Sequence, residues 1–199
     1  MKLILVRHGE TRWNKEGRVQ GNSSDTELSD RGIKQVSKLA LFLKNENIAA
    51  VVSSPLKRTV AMAEAIASQH ELSVVVDDEI RELDFGELEG VSFSKSSMSF
   101  GQFLMQWCQK GVSKRLPGGE SLVELQKRCW ITVERLLAEH KSETAVIVSH
   151  YFVIIAVLLK ALDLPLECFT KFKLSPGSIT ILEFKDWGTR LVVFNDTSY

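Results

Sequence analysis

The opening decapeptide, MKLILVRHGE (residues 1–10), sets four consecutive apolar residues, Leu3 to Val6, directly against Arg7-His8-Gly9. So short a run, ended by abrupt polarity, reads as a strand buried on both faces with the polar triplet at its carboxyl end. The pattern recurs twice. Ile48 to Val52 ends in Ser53-Ser54-Pro55, and the Ala-rich stretch from Leu56 to Ala67 then reads as a helix with Arg58 in its first turn. Ala145 to Val148 runs on to His150, after which Phe152 to Leu162 reads as helix until Asp163 and Pro165 stop it. Strands alternating with helical stretches predict an α/β fold of three layers, α/β/α, with a mostly parallel central sheet and helices on both faces.

The rest of the chain fits that frame. Ser29 reads as an N-cap, and Ile33, Val36, Leu39, Ala40 and Leu43 follow at helical spacing that turns one face inward. Val74 to Val76 is a third short strand, and residues 77–90 form an irregular acidic loop. Residues 91–119, with serines, aromatics and a final Pro-Gly-Gly, are expected to form a small helical cap inserted in a single domain spanning 1–199. Ser121 and Glu124 match a capping box ahead of a long amphipathic helix carrying Leu125, Cys129, Val133, Leu136 and Leu137. Ile179 to Phe184 and Leu191 to Phe194 read as a closing hairpin with Gly188 in its turn.

Lys plus Arg equals Asp plus Glu at 25 each, so no overall field draws this chain to nucleic acid or to an anionic membrane. Any anion site must be local. The apolar run at the N-terminus is shorter than a secretory signal and meets charge at once, which predicts a cytoplasmic protein. The most lipid-like stretch, Ala145 to Leu159, falls short of the ~20 residues that cross a bilayer and is interrupted by Ser149 and His150. Cys108, Cys129 and Cys168 lack zinc-ligand spacing and are expected to be reduced core or helix residues.

In open parallel sheets the loops at the carboxyl ends of the strands converge on the ligand crevice. Three such junctions deliver Arg7, His8, Arg58 and His150, a cationic cluster suited to a compact anion such as phosphate. Phosphoryl transfer demands a nucleophile, compensation for charge on the equatorial oxygens, and a proton for the leaving oxygen. His8, held neutral by its cationic neighbours, presents a ring nitrogen as nucleophile. Glu82 is the candidate acid, although Glu79, Asp84, Glu87 and Glu89 crowd the same loop.

The segment LVRHGETRWN (5–14) resembles the signature of the histidine phosphatase superfamily, also called the phosphoglycerate mutase-like family. Further matches are RVQG (18–21) with Leu28 and Gly32, SSPLKR around Arg58, RELDFGELEG around Glu82, LPGGES (116–121), and VSH ending at His150. The resemblance implies that His8 is the phosphorylated nucleophile, Glu82 the proton donor, and Arg7, Arg58 and His150 the phosphate clamp. It places Asn14, Gln20 and Gly21 near phosphate or substrate, where Asn14 and Gln20 could equally hold the loop after His8 in shape. Departures fall around the pocket. Tyr151 stands where many relatives have Gly, its backbone N–H still available and its ring able to narrow the pocket. TVAMA follows Arg58 where a Gln-Thr pair is frequent, and Leu88 replaces a common Trp.

Three readings fit these residues. In a phosphatase, water takes the phosphoryl group from His8; in a phosphoglycerate mutase it returns to another oxygen of the same substrate; a non-catalytic module only binds phospho-ligands. Relatives with mutase activity have a longer insertion and an RHYG-like sequence after the acid, whereas this chain has LDFG and 34 residues between Glu82 and Pro117. Hydrolysis of a small phosphomonoester is the expectation; the length and compact acid loop are similar to two overlapping groups, broad-specificity acid phosphatases and α-ribazole phosphatases of cobalamin biosynthesis, with a slight lean toward α-ribazole 5′-phosphate from the LDFG, WCQ, PGGES and C-terminal hairpin features. No metal or other cofactor is expected, since Arg and His supply the positive charge that a cation supplies elsewhere. No nucleic-acid or membrane partner is expected either, and a homodimer stays open.

Overall fold

In the computed structural model, which describes residues 1–92 and 99–199, the apolar run after Lys2 forms β1 (Lys2–Arg7), with Leu3, Ile4, Leu5 and Val6 each 0% exposed. The other strands are β2 (Ile48–Ser53), β3 (Val74–Val76), β4 (Thr144–Ser149), β5 (Ile179–Lys185) and β6 (Gly188–Asp196). They form one sheet in the order β3-β2-β4-β1-β5-β6, parallel from β3 through β1 and antiparallel at β5 and β6. The helices are α1 (Arg12–Glu16), α2 (Asp30–Leu43), α3 (Lys57–Ser68), α4 (Phe100–Gln109), α5 (Leu122–Glu139) and α6 (Tyr151–Ala161).

Alternation along each strand divides the core. Leu3 and Leu5 of β1, with Ala145 and Ile147 of β4, pack among the apolar faces of α5 and α6. Ile4, Val6, Val146 and Val148 face the other way, onto Leu39, Ala40 and Leu43 of α2 and Met62, Ala63 and Ile66 of α3. The sheet thus lies between two helical layers, as the alternating pattern predicts.

Register is what places the site. β1 and β4 are paired without a break from Lys2 with Thr144 to Arg7 with Ser149. His8 and His150 are each the next residue, so they leave adjacent strands at the same level, and their ring centroids lie 5.3 Å apart.

Four sequence expectations need correction or completion. Ile33 is 56% exposed, because the inward stripe of α2 runs through Gly32, Val36, Leu39, Ala40 and Leu43. Gly32 sits so close to Glu10 that a Cβ there would approach its carbonyl oxygen to 2.1 Å, which rotates Ile33 outward. Helix α1 was not anticipated; Thr11 and Asn14 cap it reciprocally, and Gly17 ends it at φ 65°. Gly188 is not in the hairpin turn: the strands extend to a two-residue Asp186-Trp187 turn, and Gly188, at φ 135°, opens β6. Of the expected cap, residues 93–98 lie outside the described residues, and the remainder contains α4.

The helix starts at Ser29 and Ser121 are as read: Ser29 Oγ accepts from Gly32 N–H, and Ser121 and Glu124 form the full capping box. Cys129 is buried and Cys168 half-buried, both as free thiols, while the side chain of Cys108 lies outside the described residues. Among the described residues no helix is long and apolar enough to cross a membrane.

Candidate active site

His8 is fixed by its backbone and by its own ring. Its N–H donates to Ser149 O across the β1–β4 junction (3.0 Å), and its Nδ1 lies 2.8 Å from Gly9 O. A carbonyl oxygen only accepts, so Nδ1 carries the ring proton and Nε2 keeps its lone pair. The ring is 3% exposed. Burial, then the charges of Arg58 and Arg7, push its pKa well below 6.5 and keep the imidazole neutral.

His150 is wholly buried, with Nε2 2.8 Å from Ser54 Oγ and Nδ1 without a hydrogen-bond partner. Burial, then Arg58 and His8, hold it far below 6.5 as well. Arg7 donates from Nη1 to Leu174 O at 2.5 Å and lies 5.3 Å above the Tyr151 ring, and its buried Nε has no partner. A buried donor without an acceptor costs roughly 1–3 kcal/mol. Arg7 thus keeps a buried guanidinium nitrogen unpaired beside the neutral His8 ring, with which it shares a cavity.

Arg58 is 1% exposed, and its pKa is lowered to about 10, by burial first, partly offset by Glu82 and Asp25. It donates to Gly21 O at 3.0 Å and to Ser24 O. The Gln20 amide, oriented to donate to Thr11 Oγ1 at 2.7 Å, accepts at its oxygen from Arg58 Nε and Nη1, both at 2.9 Å. A Cβ on Gly21 would come within 2.2 Å of Glu89 Oε1 and push that side chain aside.

Glu82 lies in the acidic loop, 4% exposed. Its Oε1 accepts from Leu83 N–H at 2.8 Å and from Phe152 N–H, in the first turn of α6, at 3.2 Å. Burial raises its pKa to about 7 against the opposing pull of the Leu83 N–H, Arg58 and Arg7. The carboxyl is therefore poised between acid and base near neutral pH.

Arg7, His8, Asn14, Gln20, Glu82 and Tyr151 all line one cavity of about 540 Å³. Arg58, His150 and Gly21 do not line it; Arg58 and His150 are buried, in contact with the residues that do. Asn14 also caps α1, and the Tyr151 hydroxyl donates to Phe172 O at 2.7 Å. Sequence reasoning did not single out Arg18, Lys173, Phe85 or Leu104, which share the lining. The isolated Lys173 carries no motif; its place beside Leu174, whose carbonyl holds Arg7, becomes visible only in the fold. Among the described residues no three His, Cys, Asp or Glu side chains converge as metal ligands.

Known proteins resemble this chain in sequence and fold. A phosphoserine phosphatase 1 of Hydrogenobacter thermophilus is 33% identical over 199 residues, covering all of this chain and 94% of that one. A mycobacterial glucosyl-3-phosphoglycerate phosphatase, solved in complex with VO3, superposes with TM-score 0.88 at 28% identity over 98% of this chain and 99% of its own. The α-ribazole phosphatase from Shigella flexneri superposes with TM-score 0.84 at 26% identity, covering 98% and 96%. Residues 3–197 match one family throughout, and the chain belongs to the histidine phosphatase superfamily, branch 1.

Proposed function

We propose that this protein hydrolyses a small phosphomonoester through a phosphohistidine on His8. Nε2 of His8 attacks phosphorus in line with the ester oxygen, and the P–O bond breaks as the P–N bond forms. Arg7 meets the phosphoryl oxygens from the cavity wall, Arg58 stands behind it as buried positive charge and His150 as a neighbour of the His8 ring, and Glu82 gives its proton to the departing alkoxide. Glu82, now ionised, takes a proton from water, whose oxygen attacks phosphorus; the P–N bond breaks, releasing phosphate and restoring His8. Asn14, Gln20, Gly21 and Tyr151 shape the substrate end or hold the loops that do.

The observation that carries this reading is a buried His8 whose Nδ1 is taken by Gly9 O at 2.8 Å, leaving Nε2 free in one cavity with Arg7 and Glu82. The test is p-nitrophenyl phosphate in EDTA: nitrophenol release and an acid-labile, base-stable phosphoprotein are expected, both lost in His8→Ala. Activity that survives His8→Ala removes the nucleophile. A mutase would interconvert phosphoglycerates while releasing little inorganic phosphate.

For the physiological substrate we put forward α-ribazole 5′-phosphate. Support comes from the resemblance to α-ribazole phosphatase and from a cavity wall of Phe85, Phe100, Leu104 and Phe152, apolar enough to receive a flat heterocycle. A kinetic panel decides it: equal, low efficiency for α-ribazole phosphate, phosphoserine and simple phosphoesters would remove the cobalamin assignment.

A further inference from the structure

The Leu116–Ser121 segment, LPGGES, touches none of the reacting groups, yet it is locked against the acid loop. Glu87 N–H donates to Pro117 O at 3.0 Å, and Glu120 N–H to Asp84 O at 3.1 Å. The fit leaves no slack, since a Cβ on Gly86 would come within 2.2 Å of Pro117 O, and one on Gly119 within 2.2 Å of Asp84 O. Glu120 Oε1 also accepts from Asp84 N–H at 2.9 Å.

Arg128 of α5 completes the lock. Its Nε and Nη2 meet the two Glu120 oxygens at 3.1 and 2.6 Å, a paired geometry that fixes the guanidinium plane. The same fork then donates Nη1 to Glu79 O at 2.7 Å and Nη2 to Glu82 O at 3.0 Å. The loop carbonyls on both sides of Arg81 are thereby tied to α5, while the Glu82 carboxyl is tied to α6 through Phe152 N–H. Glu120 and Arg128 do not line the cavity, although the Arg128 charge is felt at Glu82 and His150.

We propose that Glu120 and Arg128 are positioning residues for proton transfer, holding the acid loop so that the Glu82 carboxyl meets the leaving oxygen. This rests on the reading of Glu82 as the proton donor. Misplacing a catalytic group by about 1 Å costs on the order of 10²-fold in rate, so a tether this direct governs the step.

A purely structural pair would lower activity on every substrate alike. A pair that positions the acid matters most where the leaving group needs a proton. The experiment compares kcat/KM for an alkyl phosphate, whose alkoxide must be protonated, with p-nitrophenyl phosphate, whose phenolate departs unassisted. It is run below pH 7, where Glu82 is protonated, on Glu82→Gln, Arg128→Met, Arg128→Lys and Glu120→Gln in the full chain. The ratio of the two efficiencies is independent of how much enzyme is correctly folded.

Glu82→Gln is expected to lower the alkyl-to-aryl ratio by roughly 10² or more, the span of general acid catalysis. Arg128→Met and Glu120→Gln should lower it about tenfold in the same direction, with Arg128→Lys between them and wild type. An unchanged ratio in the Arg128 and Glu120 variants, while Glu82→Gln shifts it, overturns the positioning role. An unchanged ratio in Glu82→Gln overturns the assignment of the acid itself, and the positioning role with it.

Discussion

At the scale of single residues, the site is a set of side chains held in costly states. Glu82 is protonated when folded up to about pH 7, against 4.5 ordinarily, because burial disfavours its charge. As pH rises, the unfolded chain therefore releases this proton first. The stability contributed by the neutral carboxyl is complete below about pH 4.5 and declines until about pH 7. Glu82→Gln removes that decline, so the variant should gain melting temperature over wild type across this window and keep the gain above it. The loss avoided is on the order of 3 kcal/mol. A melting-temperature difference flat with pH would contradict the raised pKa. His8 and His150 act at the other end: both are depressed below 6.5, so the unfolded chain takes up their protons first as pH falls. Wild type should lose stability below about pH 6.5, and His150→Gln should weaken that acid limb. In catalysis, kcat/KM for alkyl phosphates should fall above about pH 7 as Glu82 ionises, a fall that p-nitrophenyl phosphate shows less.

At the scale of elements, the loops are tied to the helices by a few strong contacts. Asp77, where β3 gives way to the acid loop, accepts from Thr132 Oγ1 at 2.8 Å and Arg135 Nη2 at 2.6 Å, both on α5. Burial pushes its pKa up, but hydrogen bonds from Glu79 N–H, Thr132 and Arg135 outweigh it and hold the carboxyl below its usual range. Asp77→Asn should destabilise the fold by roughly 1–3 kcal/mol in chemical denaturation at neutral pH, with less difference from wild type in acid. Gly119→Ala drives a Cβ into Asp84 O and should cut alkyl phosphatase activity more than overall stability suggests. These ties mark where sequence reading stops. The strand ends carrying Arg7, His8 and His150 were legible because an apolar run breaking into charge has few other meanings. Glu82 was legible from its motif alone; its perturbed pKa comes from burial that no local pattern announces. The Arg128–Glu120 lock joins a helix to two loops, and one chain read linearly contains no sign of such a pairing. Helix α1, five residues long, lacks the repeat of apolar positions on which helix recognition depends.

At the scale of the whole molecule, the cationic cluster sits in a chain of zero formal net charge, so anion binding should be local and saturable. Inorganic phosphate at about 100 times its Kd should raise stability by about 2.7 kcal/mol, read as a shift in melting temperature. Arg7→Met should abolish the shift; a shift that persists would place the anion elsewhere. The α/β layering was legible because it rests on alternation of apolar runs, which survives any detail of packing. The facing of Ile33 was not, because a glycine contact with a neighbouring loop sets how α2 is rolled.

The unbroken pairing of β1 with β4 has a consequence for how such proteins diversify. Two histidines 142 positions apart in the chain are brought to the same level by the register of two adjacent strands. Loops threaded between them that stand outside this pairing can change in length without disturbing their spacing, provided neither strand slides. Transplanting residues 91–119 from a relative with a different preference should therefore retarget the enzyme while leaving its labelling at His8 intact, whereas one residue inserted in β1 should silence it for every ester.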